Sequence, residues 1–315
     1  MHAQAKEARL ERVAEGIYRF DTGYVRPRHT ACFVVVEAGR ASIIDCATAA
    51  SVQPLLAALE LEGIRREAVE AVVATHAHLD HTAGIGPLIA ELPRARVFAH
   101  ADTAPHLIDP TRLEQGTRAV LGDEVVDREH APPVPVDPKR IVETPDGAPV
   151  PPGDRLRVVH TPGHARDHQS LWDAATATAI AGDAFGVAYP ELDRGRGAFV
   201  VPETPPTQFD PKAMHASIDR ILALEPIRVV LTHFNVLERP EAAGVALHGM
   251  VDEYVARCLD AESVEALERG ILAAYEQALS RQGRPEAVEL MRKLYGFDAH
   301  LVSLGLWHWR AKQQR

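Results

Sequence analysis

The segment THAHLDH, residues 75–81, constrains this chain more than any other, because it places four metal-capable side chains within six positions. It follows VEAVV, an apolar and β-branched run that predicts a buried strand. On an extended backbone His76 and His78 point the same way and can share one ion, whereas Asp80 and His81 follow a bend and face another position. Since α/β sheets place their sites beyond the carboxyl ends of strands, the segment predicts a metal site in an α/β protein.

Three more ligand-type residues follow apolar runs elsewhere in the chain: His164 in HTPGH, Asp183 in AIAGDAF and His233 in VVLTHF. Four residues on one loop cannot complete two coordination spheres, so further ligands have to come from such strand ends. Imidazole and carboxylate ligands suit Zn²⁺, Fe or Mn, and the lack of cysteine ligands argues against a structural thiolate site.

Alternating strand and helix patterns predict the α/β class. The first 60 residues indicate strands at EGIYRF, ACFVVVEAG and ASIIDC, with a tight turn at Gly39, followed by a helix over 52–61. A further helix is predicted over 210–225, with Asp210 as its cap and Pro211 in its first turn. These elements favour one large domain or one domain with an appendage.

Two regions depart from this alternation. Residues 103–153 contain helical stretches broken by two proline-rich segments, and they predict either a surface insertion or a lid over a site. From Pro240 the chain is predicted to be helical to Trp309, with apolar positions Val251, Val255 and Leu259 along one face. These helices are predicted to pack on the rest of the fold, to wall a pocket or to form a homodimer; Trp307 and Trp309 favour burial at a contact, and we favour the homodimer.

Composition excludes several classes. The chain has 315 residues, 46% of them hydrophobic and 25% charged, and a formal net charge of −10. These are globular proportions, and the acidic balance argues against a nucleic-acid partner. We expect no signal peptide, no membrane span and a cytoplasmic protein. The three cysteines are too few for a disulfide framework, and Cys32 and Cys46 are expected in the core.

As a group, THAHLDH, TPGH, the Gly182-Asp183 pair and the late Thr232-His233 pair resemble the signature motifs of the metallo-β-lactamase fold superfamily over roughly residues 12–236. The resemblance implies a four-layer αββα sandwich with its site at one edge between the two sheets. It implies a catalytic domain over 1–240, with 103–153 as a lid-like insertion, and a helical extension over 241–315.

The same resemblance implies two divalent ions, with Zn favoured and Fe or Mn as alternatives. It assigns one ion to His76, His78 and His164, the other to Asp80, His81 and His233, and a bridging position to Asp183. Asp45, which ends the strand ASIIDC, resembles a supporting residue that is not a ligand.

The implied activity is a hydrolase without a Ser or Cys nucleophile. A metal-bridging hydroxide would attack the carbonyl of a small carboxylic ester, lactone or thioester, with Asp80 and Asp183 as catalytic residues. The resemblance does not decide between the lactonase-like members of the superfamily and the glyoxalase II-like thioesterases. Alternatives are a phosphodiesterase on the same fold, a mononuclear iron oxygenase similar to persulfide dioxygenases, and a non-catalytic sensor.

Substrate contacts are predicted at residues that lie near the ligands and have no evident folding task. These are Tyr24, Arg28, Arg166, His168, Tyr189, Phe234 and Asn235.

Overall fold

A computed structural model describes residues 9–193, 195 and 197–314. The chain divides into two compact units. The first comprises Met1–His160 and Asp167–Ile180, and the second comprises Thr161–Arg166 and Ala181–Arg315. This division does not coincide with the boundary expected after residue 240, which stays a prediction.

The first unit contains a seven-stranded sheet in which the strands follow one another in chain order. Its four antiparallel strands come first, and the last three continue it in parallel with the fourth. The strands are β1 (Leu10–Ala14), β2 (Ile17–Asp21), β3 (Ala31–Glu37), β4 (Arg40–Ile44), β5 (Val69–Val73), β6 (Arg96–Ala99) and β7 (Ile141–Glu143). The turn predicted at Gly39 joins β3 to β4, where Ala38 and Gly39 both have positive φ.

Four antiparallel strands form a second sheet segment in the same unit: β8 (Pro149–Val150), β9 (Leu156–His160), β10 (Gln169–Asp173) and β11 (Thr178–Ile180). β10 and β11 form a hairpin that ends shortly before Gly182. β7 and β8 lie within 103–153, so the later part of that segment belongs to the sheets. Its role as a lid stays a prediction.

Six helices accompany these strands: α1 (Val52–Leu61), α2 (Leu79–Thr82), α3 (Ile85–Glu91), α4 (Ala104–Ile108), α5 (Thr111–Leu121) and α6 (Asp123–Glu129). The bounds of α1 match the predicted helix. Leu55 and Leu59 on α1 belong to the same buried core cluster as Val72 of β5 and Val97 of β6. Burial of apolar side chains at about 25 cal/mol per Å² makes this cluster the main stabilising contribution to the sheet. The core therefore fixes the end of β5, where the THAHLDH segment begins.

The second unit contains α7 (Pro211–Leu222), the antiparallel strands β12 (Arg228–Val230) and β13 (Val236–Leu237), and the helices α8 (Pro240–Asp260), α9 (Val264–Arg281) and α10 (Val288–Gln313). The Asp210 carboxylate accepts hydrogen bonds from the backbone N–H groups of Lys212 and Ala213, which confirms it as the cap of α7. The helix ends earlier than residue 225. Pro226 follows, and a residue before proline is disfavoured in the helical conformation.

The buried face of α8 differs from the predicted one. Leu247, Val251, Tyr254 and Cys258 are buried, whereas Leu259 is 59% exposed. Steps of four, three and four residues follow the 3.6-residue period, whereas repeated steps of four drift away from the core. Val255 is half-buried, so the predicted face was wrong at Leu259.

Both indole rings near the end of α10 are half-buried. Trp309 packs edge-on against Phe209, at 6.5 Å between ring centroids, and the Arg310 guanidinium lies over the Trp307 ring. Within the described ranges, none of the helices combines the length and apolar character needed to cross a bilayer. Cys32 and Cys46 are buried free thiols in the core, as expected.

Candidate metal centre

The THAHLDH segment leaves β5 and enters the short helix α2. His78 has an extended backbone immediately before this helix, which places the bend between His78 and Asp80. His76 and His81 are fully buried. The Nε2 atom of His76 lies 2.8 Å from Nδ1 of His78, and the His76 and His81 ring centroids are 4.2 Å apart. The loop thus gathers three imidazoles within the first unit.

Asp45, at the end of β4, fixes the orientation of His81. Its buried carboxylate lies 2.9 Å from Nδ1 of His81 and also accepts hydrogen bonds from the backbone N–H and hydroxyl of Thr75. A carboxylate only accepts, so His81 carries its proton on Nδ1 and presents the Nε2 lone pair. That Nε2 atom lies 3.6 Å from Oδ2 of Asp80. Asp45 therefore acts on the centre through His81, as its place in the sequence predicts.

The segment is also held from β10 and from the residues before it. The backbone N–H of Gln169 donates to the carbonyl of Thr75, and its side-chain amide donates to the carbonyl of Ala74. Asp167 accepts hydrogen bonds from the Ala77 N–H and the Thr103 hydroxyl. Because these contacts fix the backbone on both sides of His76, the ring has little freedom to turn. The sequence reasoning missed Asp167 and Gln169, which the sequence marks only by their closeness to His164.

In the second unit Asp183 lies between two histidines. One of its carboxylate oxygens, Oδ2, is 3.3 Å from Nε2 of His164, and the other, Oδ1, is 3.6 Å from Nε2 of His233. All three residues are buried. A carboxylate with one oxygen toward each imidazole has the arrangement of a bridging ligand.

The position of His164 depends on Gly163. This glycine has φ 136°, and a Cβ atom there would lie 2.4 Å from the backbone of Met214 in α7. Only glycine permits so close a passage of the loop across the helix. Nδ1 of His164 is 3.1 Å from the carbonyl oxygen of Glu203 and donates to it, which leaves Nε2 to face Asp183. The local fold thus leaves Nε2 of His164 as the ring nitrogen that can bind a metal ion.

The donor set fits divalent metal binding. His81 and His164 each have one ring nitrogen held by an oxygen acceptor, which is the usual support of a metal-bound imidazole. All seven predicted ligands belong to groups of His and Asp side chains able to hold a metal ion. They are His76, His78, Asp80, His81, His164, Asp183 and His233.

Of the predicted substrate contacts in the first unit, Tyr24 has the most informative surroundings. Its hydroxyl lies 2.9 Å from Nε2 of His130, a buried residue just after α6. Burial raises the pKa of Tyr24 far above its ordinary value, and the charge of Asp80 raises it further. Burial lowers the pKa of His130, so both groups are neutral at neutral pH. No sequence motif marks His130.

His168 and Arg28 occupy different environments. His168 is fully buried, with its ring centroid 5.0 Å from that of His76. Arg28 is exposed, and its backbone N–H donates to the Asp21 carboxylate. His168 thus packs against the predicted ligand His76, and its predicted contact with substrate stays a prediction, as does that of Arg28.

The remaining predicted contacts lie in the second unit. Tyr189 is buried against Tyr295, at 4.7 Å between ring centroids. Asn235 is buried, and its side chain binds the Asp193 carboxylate and the backbone N–H of Val236. Phe234 is also buried. These three predictions remain untested.

Arg166 is exposed at a cleft of about 640 Å³ in the second unit. Phe209 and Trp309 contribute aromatic surface to this cleft, and Lys212 and Lys312 add positive charge. The backbone N–H of Arg166 donates to the side chain of Gln208, which ties the cleft to the loop that carries His164.

The chain belongs to the metallo-beta-lactamase superfamily, because the sequence profile of that family matches residues 25–233, more than half of its length. The metallo-beta-lactamase fold-containing protein ST1585 of Sulfurisphaera tokodaii is 24% identical over 203 residues, which cover 62% of this chain and 68% of that protein.

Solved structures share the fold. TTHA1429 from Thermus thermophilus, a metallo-beta-lactamase family protein, has a TM-score of 0.67 at 18% identity, covering 96% of this chain and 95% of its own. TTHA1623, solved in a di-iron-bound form, has a TM-score of 0.51 at 24% identity, covering 68% of this chain and 92% of its own. The predicted α/β metallo-β-lactamase sandwich with C-terminal helices is therefore confirmed.

Replacing Asp45 with Ala is expected to destabilise the protein by about 2–4 kcal/mol, because it leaves buried donors of Thr75 and His81 without their acceptor. Asp45 also has φ 59°, which Asn tolerates better than Ala. Asp45→Asn is therefore the matched control and should lose less. Urea unfolding, monitored by circular dichroism, measures the free energy of unfolding of both variants. A loss of stability below about 0.5 kcal/mol for Asp45→Ala would contradict the assigned role.

Proposed function

We propose that the chain is a dinuclear metal-dependent hydrolase of small carboxylic esters, lactones or thioesters. His76, His78 and His164 would hold one ion and Asp80, His81 and His233 the other, with Asp183 as a ligand shared by both. The observation that carries the proposal is the Asp183 carboxylate, which turns one oxygen toward His164 and the other toward His233. Membership of the metallo-beta-lactamase superfamily supports it.

Two bound divalent ions supply hydroxide near neutral pH and polarise a carbonyl oxygen. The chain's own residues then orient the substrate and move protons. Asp80 is 28% exposed at its side chain, so it can reach both solvent and a bound substrate. It accepts the proton that the attacking group releases and passes it toward the leaving group.

Tyr24 is proposed as a hydrogen-bond donor to the substrate. When His130 carries its proton on Nε2, it donates to the Tyr24 oxygen at 2.9 Å, and the hydroxyl proton of Tyr24 remains for the substrate. The raised pKa of Tyr24 keeps that proton in place at neutral pH. Asp80 raises the pKa of Tyr24 through its charge, which supports a position close to the reacting group.

The cleft at Arg166 supports a substrate with an anionic group. Arg166, Lys212 and Lys312 set three positive charges around it, against the one carboxylate of Asp210. This local excess of positive charge contrasts with the net charge of −10 of the whole chain. Its volume of about 640 Å³ lies in the range of small-molecule sites, and its aromatic surface suits an apolar portion beside the charge.

The test is metal content of protein purified without added metal, together with turnover of a panel of esters, lactones and thioesters, each with and without a carboxylate tail. About two ions per chain and turnover of any panel member would support the hydrolase. One iron per chain, no hydrolysis and oxygen consumption with a persulfide would favour an oxygenase instead. The di-iron form of TTHA1623 is the reason to measure iron beside zinc.

Tyr24→Phe is expected to lower kcat by on the order of 10²-fold with KM nearly unchanged, because it removes one hydrogen-bond donor and little volume. The matched control is Tyr18→Phe on β2, where the tyrosine is half-buried and packs against the core cluster. Steady-state kinetics on the best panel substrate measures both. Equal kcat values for the two variants would remove Tyr24 from the mechanism.

A further inference from the structure

Two adjoining helices of the second unit repeat one short pattern, a histidine followed four residues later by an aspartate. On α7 the pair is His215 and Asp219, and on α8 it is His248 and Asp252. Residues four apart share a helix face, so each helix presents an imidazole and a carboxylate together.

The helices pack closely and run in opposite directions at this point. Each histidine faces the aspartate of the other helix, since His215 pairs with Asp252 and His248 with Asp219. At Gly244 on α8, an added Cβ atom would lie 2.7 Å from the side chain of Leu222, which shows that this face of α8 packs directly on the side chains of α7. The close packing brings the two imidazole rings edge to edge, with centroids 4.9 Å apart and planes 5° from parallel.

The carboxylates determine which ring nitrogens carry protons. Nε2 of His248 is 3.0 Å from Asp219, and Nε2 of His215 is 3.2 Å from Asp252. A carboxylate only accepts, so both Nε2 atoms are donors and, in the neutral rings, both Nδ1 atoms are acceptors. Those two Nδ1 atoms face each other at 2.6 Å. Two lone pairs at this distance require a cation between them.

We propose that His215 and His248 form a second metal site, independent of the hydrolase centre, for a divalent transition metal such as Cu²⁺, Ni²⁺ or Zn²⁺. Two imidazole nitrogens are suitable ligands for these ions. Asp219 and Asp252 fix the tautomers from behind, as carboxylates do for metal-bound histidines. The bound ion links α7 to α8.

The geometry leaves room for an ion after a small movement. Tetrahedral bonds of about 2.0–2.1 Å set two ligand nitrogens roughly 3.3 Å apart, so the Nδ1 atoms separate by well under 1 Å. The His215 and His248 side chains are 29% and 28% exposed, which allows this movement and lets water complete the coordination. The alternative occupant of the gap is a single shared proton.

The experiment uses the full chain with its hydrolase centre loaded with zinc and titrates it with Cu²⁺, the strongest binder among the divalent ions of this series. Wild type should take up one saturable equivalent with a nitrogen-ligated copper signal in electron paramagnetic resonance. The zinc content, measured in parallel, separates this uptake from displacement at the first centre. The double variant His215→Asn/His248→Asn should lose the equivalent.

His300→Asn is the matched control, because His300 on α10 also pairs with a carboxylate, Glu268 at 2.8 Å. This variant should keep the copper equivalent. Asp219→Asn should weaken copper binding by about 10–100-fold, which is the usual effect of losing the carboxylate behind a metal-bound histidine. Undiminished uptake by the double variant, or no added equivalent in wild type, would overturn the site in favour of the shared proton. Neither result depends on the hydrolase activity.

Discussion

Asp183→Ala is expected to lower kcat/KM by roughly 10³–10⁴-fold on any substrate of the panel, the largest loss we predict for a single substitution. In the proposed hydrolase, two bound metal ions would supply several kcal/mol of transition-state stabilisation, and each 1.36 kcal/mol lost is a factor of ten. Asp183 faces both His164 and His233, with a separate oxygen toward each. Its loss should therefore affect both ions.

Metal analysis of the same variant separates this account from simple misfolding. Asp183→Ala should bind one ion or fewer per chain while its circular dichroism stays that of wild type. Asp183→Asn keeps one carbonyl acceptor, so its metal content and kcat/KM should lie between those of Asp183→Ala and wild type. Asp260→Ala, an exposed position at the end of α8, is the control. Wild-type metal content together with wild-type kcat/KM in Asp183→Ala would contradict the bridging role.

The sequence could predict the ligand-bearing strand ends because strand position follows from local pattern. The run before His76 is apolar and β-branched, and the structure places β5 there. Gly163 of the HTPGH motif is a residue type that permits a sharp turn, and the structure gives it φ 136° and a close approach to α7. Asp45 was assigned a supporting place, and it lies 2.9 Å from Nδ1 of His81.

Contacts that depend on tertiary packing left no such signal. His130 lies 106 residues after Tyr24 in the chain, and nothing in the sequence joins the two. Tyr189 packs on Tyr295, which lies 106 residues later in the chain, and no local sequence pattern indicates that contact. The face of α8 could not be settled from apolar positions alone, since Val255 and Leu259 are as apolar as the buried Leu247.

A single buried arginine links the C-terminal helices to the chain that follows Asp183. Arg284 lies between α9 and α10 and is 2% exposed. Its Nη1 atom donates to the carbonyl oxygens of Leu192, at 2.8 Å, and Gly197, at 3.1 Å. Nη2 donates to the side chain of Gln282. The fork of the guanidinium makes these contacts possible together, which a lysine ammonium does not reproduce.

Arg284→Ala is expected to destabilise the protein by about 3–5 kcal/mol, because buried acceptors lose a charged donor. Arg284→Lys should recover only part of that loss, and Arg281→Ala, at the exposed end of α9, should stay within about 0.5 kcal/mol of wild type. Urea unfolding gives the three values, and hydrogen exchange at Leu192 and Gly197 locates the change. If Arg284→Ala were as stable as Arg281→Ala, the C-terminal helices would not be what holds the segment after Asp183. Faster hydrogen exchange at Leu192 and Gly197 in Arg284→Ala, with the protection of β5 unchanged, would show that the C-terminal helices hold that segment.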